Sequence, residues 1–495
     1  MNSNDDEPSK PDPQRRLILK AMGGATLLAG LTLNVSNAAE ASNTSDTGIL
    51  DVVIIGAGLS GLTSARDLKN AGCESFVVLE ARDRVGGRTY NHDLGNGLVS
   101  EAGGQWIGPG QTAVFDLARE LNVETFPSYY EGKAVFFAGD AKVEQDTSDG
   151  LGFDPELVRK INDLSRTVPS KDPWNAKNAA ELDKLSVGDW LSKQNVRLID
   201  KVGFNTTMTL SFGGPPASVG LLQYLSVINT SDCSLENLEG MKGGAQETRL
   251  VGGSQILSVR MAEALGNKVQ LSCPVRRIVG WDRDVVEVHT DQAVFRARKV
   301  VAALSPALCN QIAFDPPLPS GRAQLQNLWP AHGPMRKTAH VYEKPFWRAK
   351  GLNGQIVQTD GPVILAYDNS PPDGSLGVIN AFVRTGNLSS EAVTAQSTLS
   401  AIYAKALGEQ ALNPIQFHDQ DWGKIDPWTL TCMNPIPPGF WTKWGEFLKP
   451  AIGNLIWSGS ENADIWAGAM DGAVRSGHRA ALEVLQALVQ VRRTV

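Results

Sequence analysis

The stretch "ILDVVIIGAGLSGLTSARDLKNAGCESFVVLE", ending at Glu80, limits what this chain can fold into more than any other. "ILDVVIIGAG" is a continuous apolar run rich in Val and Ile, the pattern of a strand buried on both faces of a parallel sheet. "SGLTSARDLKNAG" carries helical spacing, with Leu62, Ala65 and Leu68 on one side and Gly72 as a stop. "SFVVLE" is a second strand, and the three pieces make one βαβ unit. Gly56, Gly58 and Gly61 form G-x-G-x-x-G at its first turn. The first glycine permits the tight turn, the second lets a pyrophosphate approach the backbone, and the third permits close packing of helix on strand. Leu59 and Ser60 open the helix, where unpaired N–H groups and the dipole favour anions. Glu80 ends the second strand, where a carboxylate accepts hydrogen bonds from ribose hydroxyls. The implied ligand is a dinucleotide. NAD and FAD share this adenosine end, so the unit by itself leaves the choice between them open.

The rest of the chain narrows the class. Its 495 residues imply two or more domains. A hydrophobic content of 42% and a charged content of 20% are those of a soluble globular protein. A net charge of −7 argues against nucleic acid as a partner, since phosphate binding needs a basic surface. The five cysteines (Cys73, Cys233, Cys273, Cys309, Cys432) are scattered, without C-x-x-C and without clustering with histidine, so neither a metal site nor a disulfide framework is expected.

At the N-terminus, "QRRLILKAMGGATLLAGLTLNVSNAAEA" places Arg15 and Arg16 before a short apolar run and then small residues suited to cleavage. The run is too short and Gly-rich to span a bilayer, which needs about twenty apolar residues. It resembles a twin-arginine export signal, which carries proteins already folded around their cofactor. The expectation is an export signal over 1–38 with cleavage after Ala38, a linker over 39–49, and a periplasmic mature protein, or a cytoplasmic one if the leader is not used. Further on, residues 126–249 show helical stretches such as "FDPELVRKINDLSRTV". Residues 268–301 alternate like antiparallel strands, and the end reads as strand, loop and long helix.

The loop after Glu80, "EARDRVGGR", carries more than an NAD site requires. Gly86 and Gly87 let it lie close under a large ligand, and Arg88 offers fork-shaped donors to a phosphate. This loop, with Arg82 and Gly87, resembles the stretch that follows the ribose-binding Glu in the flavin amine oxidase family. "EAGGQWIGPGQ" resembles that family's Gly-Gly-x-Trp segment, which runs past the flavin through Gly104, Gln105 and Trp106. "GGAQETRLVGGSQILSVRMAEALG" leading into "SCPVRRI" is similar to its second FAD segment, where the backbone of Val275 holds the adenine. "LIWSGSENADIWAGAMDGAVRSGHRAA" is similar to its C-terminal flavin segment, with Glu461 and Met470 at cofactor-contact positions. "IAFDPPLP" and "YEKPFW" match as well. Within the last segment Gly468, Gly472, Ser476 and Ala480 recur every fourth residue. This gives a smooth face, and a helix start near Ala469 and Met470 would aim N–H groups at the flavin.

The resemblance implies an α/β (α+β) fold: a Rossmann-type FAD-binding domain with a discontinuous substrate domain, in a monoamine oxidase-like two-domain architecture. The expected boundaries are 50–125, 250–308 and 430–490 for FAD, and 126–249 and 309–429 for substrate. It implies oxidation of a small-molecule amine. A hydride leaves the carbon next to nitrogen for flavin N5, and water hydrolyses the imine to an aldehyde or ketone. An L-amino-acid oxidase of the same superfamily, a nicotine-catabolic amine oxidase and a non-catalytic FAD-binding protein are the alternatives. A homodimer is a further expectation.

Three departures from the family pattern bear on chemistry. The lysine that reaches flavin N5 through a water aligns with Gln311, or with Asn310 if the gap moves by one. With the lysine lost, a periplasmic electron carrier rather than O2 becomes a candidate acceptor. The two aromatic residues that clamp the substrate nitrogen align with Cys432 and Ala469, both small, leaving Trp466 and Trp428 as substitutes. The cysteine that binds FAD covalently in some relatives aligns with Thr431, so the expected FAD is noncovalent. Gln246 matches a glutamine of the substrate channel, and Trp422 is a candidate for the pocket wall or the core.

Overall fold

In the computed structural model Leu50–Ile55 (β1) is the strand that the apolar run predicts, Leu59–Asn70 (α1) is the helix, and Phe76–Leu79 (β2) is the second strand. The structure describes residues 48–147, 152–331, 336–423, 427–430 and 434–494. The leader and all but the end of the linker lie outside the described residues, as do Thr431 and Cys432.

β1 and β2 run parallel, with Val52 opposite Phe76. On its other edge β1 is parallel to Val294–Ala303, with Val53 opposite Val300. That long strand serves two further partners. Its first half pairs antiparallel with Val286–Thr290 and its second half pairs parallel with Leu455–Ser458. The sheet is completed by Val275–Val279, Ala313–Asp315 and Val269–Gln270. The continuous apolar run of β1 is explained by cover on both faces. Val53 and Ile55 share one cluster with Val77, Val300 and Trp457, while Val52 and Ile54 share another with Leu62, Val301 and Val484.

The long C-terminal helix Met470–Thr494 lies against α1, and small residues permit the approach. The Ser64 hydroxyl donates to the Gly477 carbonyl at 3.0 Å, and a Cβ on Gly477 would fall 2.5 Å from the Ser60 carbonyl oxygen. Ser476 and Ala480, from the small-residue face, are buried.

A second, seven-stranded sheet takes the order Gln416–Asp421, Arg336–Tyr342, Gly377–Val383, Val363–Asp368, Leu352–Gln358, Lys133–Ala138 and Ala141–Asp146. The helices between 155 and 239 gather a separate apolar cluster around Phe204, Met208, Leu222 and Leu225. Two boundaries differ from expectation. The first sheet runs past 308, because Ala313–Asp315 pairs with Val275–Val279. Ile436, Phe440, Trp441 and Leu448 belong to the helical cluster, drawn there by their apolar area, so the chain after 430 returns to the nucleotide sheet only at Leu455. No helix among the described residues is long and apolar enough to cross a membrane.

Candidate functional site

The three glycines of the first turn have separable reasons. Gly56 has φ +101°, and a Cβ there would lie 2.9 Å from the Ala303 carbonyl oxygen. A Cβ on Gly61 would lie 2.0 Å from the Gly56 carbonyl oxygen, so the fold itself demands glycine at both. Gly58 differs: its φ is −79°, and the nearest atoms a Cβ would meet are 4.0 Å away, on Gly86 and Gly87. The protein leaves that space clear at the start of α1, whose N-terminus has no side-chain cap. A phosphate fits there, on free N–H groups.

Glu80 is buried and fixed by its neighbours. One carboxylate oxygen accepts the Ala57 N–H at 2.8 Å; the other accepts the Arg82 N–H at 3.0 Å and the Arg82 guanidinium at 3.2 Å. Arg82 also donates to the Thr429 hydroxyl at 2.5 Å. Next to Thr429, Trp428 lines the cavity and has the Arg276 guanidinium 5.3 Å from its ring centre. Arg88 does not hold its fork out for a phosphate. It donates to both oxygens of Glu461, at 2.7 and 3.0 Å, and to the Ser460 hydroxyl at 2.9 Å. Burial pushes the Glu461 carboxyl up, but the charge and hydrogen bonds of Arg88 outweigh it and hold the group below the usual carboxylate range. The pair clips the loop after Glu80 to the C-terminal segment.

The wall from Gly103 to Trp106 is backed by a buried lysine. Lys337, on the strand Arg336–Tyr342, donates to the Gly103 carbonyl at 2.9 Å and to Gln105 Oε1 at 2.5 Å. The Tyr367 hydroxyl donates to the same oxygen at 2.7 Å, while Gln105 Nε2 is buried without a hydrogen-bond partner. Trp106 and Tyr367 have ring centroids 4.7 Å apart, and the Lys337 ammonium lies 5.2 Å from the centre of the Phe382 ring. Burial, then His418 and Lys337, push the neighbouring His92 imidazole down to about 4. Across from Gly104 stands Met470, whose sulfur would lie 3.8 Å from a Cβ on that glycine.

These parts bound one cavity of about 1130 Å³. It runs from the glycine turn and Glu80, past Gly104–Trp106 and Trp466–Met470, to Gln246 and the helical segment. That exceeds the usual range for a single drug-sized ligand, roughly 300–1,000 Å³, and suits a dinucleotide plus a substrate. The clear space over Gly58, the fixed Glu80 and the unpartnered amide of Gln105 all fit FAD.

Of the candidate cofactor, substrate and catalytic residues that the structure describes, all but Gly61, Val275, Asn310, Gln311 and Trp422 line this cavity, and Cys432 lies outside the described residues. Gly61 serves packing. Val275 begins its strand just after Cys273, whose N–H donates to the Glu80 carbonyl at 2.8 Å; it sits beside the Glu80 end but outside the wall. Trp422 is buried behind the wall, its indole N–H donating to the Ala102 carbonyl at 2.9 Å. Gln311 is a correction. It is exposed, with its amide donating to the Pro427 carbonyl at 3.2 Å, because Pro306–Cys309 forms a short helix that carries 310 and 311 outward. The lysine that the fold does bring to the Gly103–Trp106 wall is Lys337. Its signal was a basic pair inside the strand "RKTAHVY", every residue of which is buried.

A βαβ dinucleotide site opening into an aromatic, lysine-backed chamber defines a flavin-dependent oxidoreductase of small molecules. The chain belongs to the flavin-containing amine oxidoreductases: the model of that family, "Flavin containing amine oxidoreductase", matches residues 59–485. AofH of Mycobacterium tuberculosis is 36% identical over 444 residues, which cover 88% of this chain and 96% of that protein. The flavin-containing amine oxidase B of Sus scrofa is 32% identical over 457 residues, 89% of this chain and 87% of the other. Among solved structures, the cyclohexylamine oxidase of Brevibacterium oxydans IH-35A superposes with a TM-score of 0.81 at 31% identity, covering 89% of this chain and 100% of that one. A putrescine oxidase bound to putrescine gives 0.79 at 32% identity, covering 88% and 99%.

Proposed function

We propose that the chain oxidises a small alkyl or arylalkyl amine at the carbon next to nitrogen. Bound FAD supplies the hydride acceptor there, and water hydrolyses the imine product to an aldehyde or ketone. The observation that carries this reading is the single cavity joining the Glu80 end to the chamber around Trp106. Gly58, the α1 N-terminus and Glu80 would hold the pyrophosphate and ribose, and Gly104–Trp106 with Ala469 and Met470 would flank the flavin. Trp106, Tyr367, Phe382 and Trp466 exclude water and orient the amine as its neutral base. Lys337 holds a positive charge at the Gly103 carbonyl, behind the flavin wall.

With that lysine in place the argument for slow reaction with oxygen loses its premise, and O2 becomes the acceptor of choice over a periplasmic carrier. FAD is held noncovalently in this reading, which acid precipitation tests by leaving the yellow colour in the supernatant. The leader supports periplasmic export; a fusion of residues 1–38 to a folded reporter checks it. The main experiment is anaerobic mixing of the holoprotein with primary, secondary and arylalkyl amines while the flavin absorbance is followed. Bleaching by one class supports the reading. Bound FAD that no amine bleaches overturns it in favour of an amino-acid oxidase or a ligand-binding protein.

A further inference from the structure

We infer that the helical end of the cavity takes a second cationic group on the amine, so that the favoured substrates are diamines or amines with a remote ammonium. This deepens the reading above and rests on it. Glu239 ends the short helix Leu235–Glu239 and lines the cavity. Its carboxylate accepts the Ser211 hydroxyl at 2.8 Å, and among the described residues no lysine, arginine or histidine forms an ion pair with it. Lys242 lines the same cavity but is exposed and makes no such pair. A partly buried carboxylate without a cation is costly to keep charged. Burial accordingly pushes Glu239 up to about 7, with only the Ser211 hydrogen bond opposing.

A second acceptor adjoins it. Gln246 Nε2 donates to the Leu238 carbonyl at 3.3 Å, and this fixes the amide so that Oε1 is buried without a partner. The backbone of Gln246 donates to Gly240 at 3.2 Å, while Ile107 and Thr248 exchange backbone hydrogen bonds of 2.9 Å. The chain therefore steps directly from Trp106 on the flavin wall to Gln246 and then to Glu239. A carboxylate and an amide oxygen on the same wall, the second held by hydrogen bonds to the residues flanking the first and neither satisfied by a protein cation, suit an ammonium, which carries three donors and no acceptor. A neutral hydroxyl would leave the carboxylate charge uncompensated. Leu210 and Phe212 line the same part of the cavity and suit a methylene chain between the two nitrogens.

The test compares putrescine with butylamine, cadaverine with pentylamine and hexamethylenediamine with hexylamine, using the holoenzyme. At the best chain length the diamine is expected to exceed its monoamine in kcat/KM by about tenfold or more, mainly through KM. In Glu239→Gln that ratio falls at least fivefold, and because it is a ratio a general loss of activity cancels. Flavin content and melting temperature verify the fold. If Glu239→Gln does not fold, Gln246→Leu removes the adjoining acceptor and lowers the ratio by a smaller factor. A wild-type ratio at or below one, or a ratio indifferent to the substitution, overturns this inference while monoamine oxidation stands. Flavin that neither member of any pair reduces overturns both.

Discussion

Lys337 Nζ lies 2.9 Å from the Gly103 carbonyl oxygen, and this contact ties the second sheet to the wall of the cofactor cavity. The ammonium is buried, so its charge acts in a low dielectric behind the wall along which the proposed function lays the flavin. Lys337→Met keeps much of the side-chain length and removes the charge. Reoxidation of reduced flavin by oxygen should slow by about tenfold or more, the order seen when one preorganised electrostatic contact is lost. Double-mixing stopped flow reads this directly. Gln311→Ala, on the surface, should leave the rate unchanged; the reverse pattern would return the role to Gln311.

The contrast between these two positions shows what the sequence could carry. The glycine turn was legible because its constraints are local: Gly56 and Gly61 are forced by backbone atoms of the same βαβ unit and of the adjoining strand. Lys337 was not, because what marks it is the arrival of Gly103 and Gln105 from more than two hundred residues away. Arg88 was recognised as a fork donor, yet its partner proved to be Glu461 rather than phosphate, again a contact across most of the chain. Tyr367 and Phe382 sit in strands where an aromatic is ordinary, so only their place on the cavity wall distinguishes them.

Gly58 and Gly61 should respond oppositely to alanine. At Gly61 the new Cβ meets the Gly56 carbonyl at 2.0 Å, so Gly61→Ala should fail to fold or lose several kcal/mol, of the order of core overpacking. At Gly58 nothing of the protein lies closer than 4.0 Å. The apoprotein of Gly58→Ala should therefore melt at or slightly above the wild-type temperature, while its FAD affinity falls at least tenfold. Apoprotein melting and flavin titration separate the two effects. A large loss of apoprotein stability in Gly58→Ala would show that the clear space serves the fold.

Arg88→Ala should destabilise by about 3 kcal/mol, since it strands the buried Glu461 charge. Arg88→Lys should recover only part of this, because an ammonium cannot reproduce the two parallel bonds to the carboxylate. Replacing both partners, Arg88→Met with Glu461→Leu, should be milder than Arg88→Ala alone. Denaturant unfolding of the three variants checks the order; equal losses would mean that the pair contributes little.

Ala469 lines the cavity beside Trp466 and directly precedes the C-terminal helix. Ala469→Tyr puts a ring where the chain has a methyl group. The kcat/KM for bulky secondary and branched amines should fall by about tenfold relative to slim primary amines. A selectivity profile indistinguishable from wild type would show that other groups set the width of the chamber.

Acidification should weaken the fold between pH 6.5 and 4 through His340. The ring is fully buried between Tyr403 and Phe417, with Nδ1 unpartnered. Burial pushes its pKa down from 6.5 to about 4, against weaker opposing pulls from the Gln396 carbonyl and Asp419. The unfolded chain takes up a proton near pH 6.5 while the native ring stays neutral. The unfolded state therefore binds more protons across this window, and stability falls as pH falls, reaching a loss of roughly 3 kcal/mol near pH 4. His340→Phe keeps an aromatic ring and removes the titration. Denaturant unfolding of both proteins from pH 7.5 to 4.5 should give a difference that shrinks on acidification by about 1.4 kcal/mol per pH unit at most. Taking that difference cancels the other titrating groups, Glu239 among them. A difference independent of pH would mean that His340 takes up its proton equally in the native and unfolded states, and one that grows on acidification would mean that the native ring is protonated.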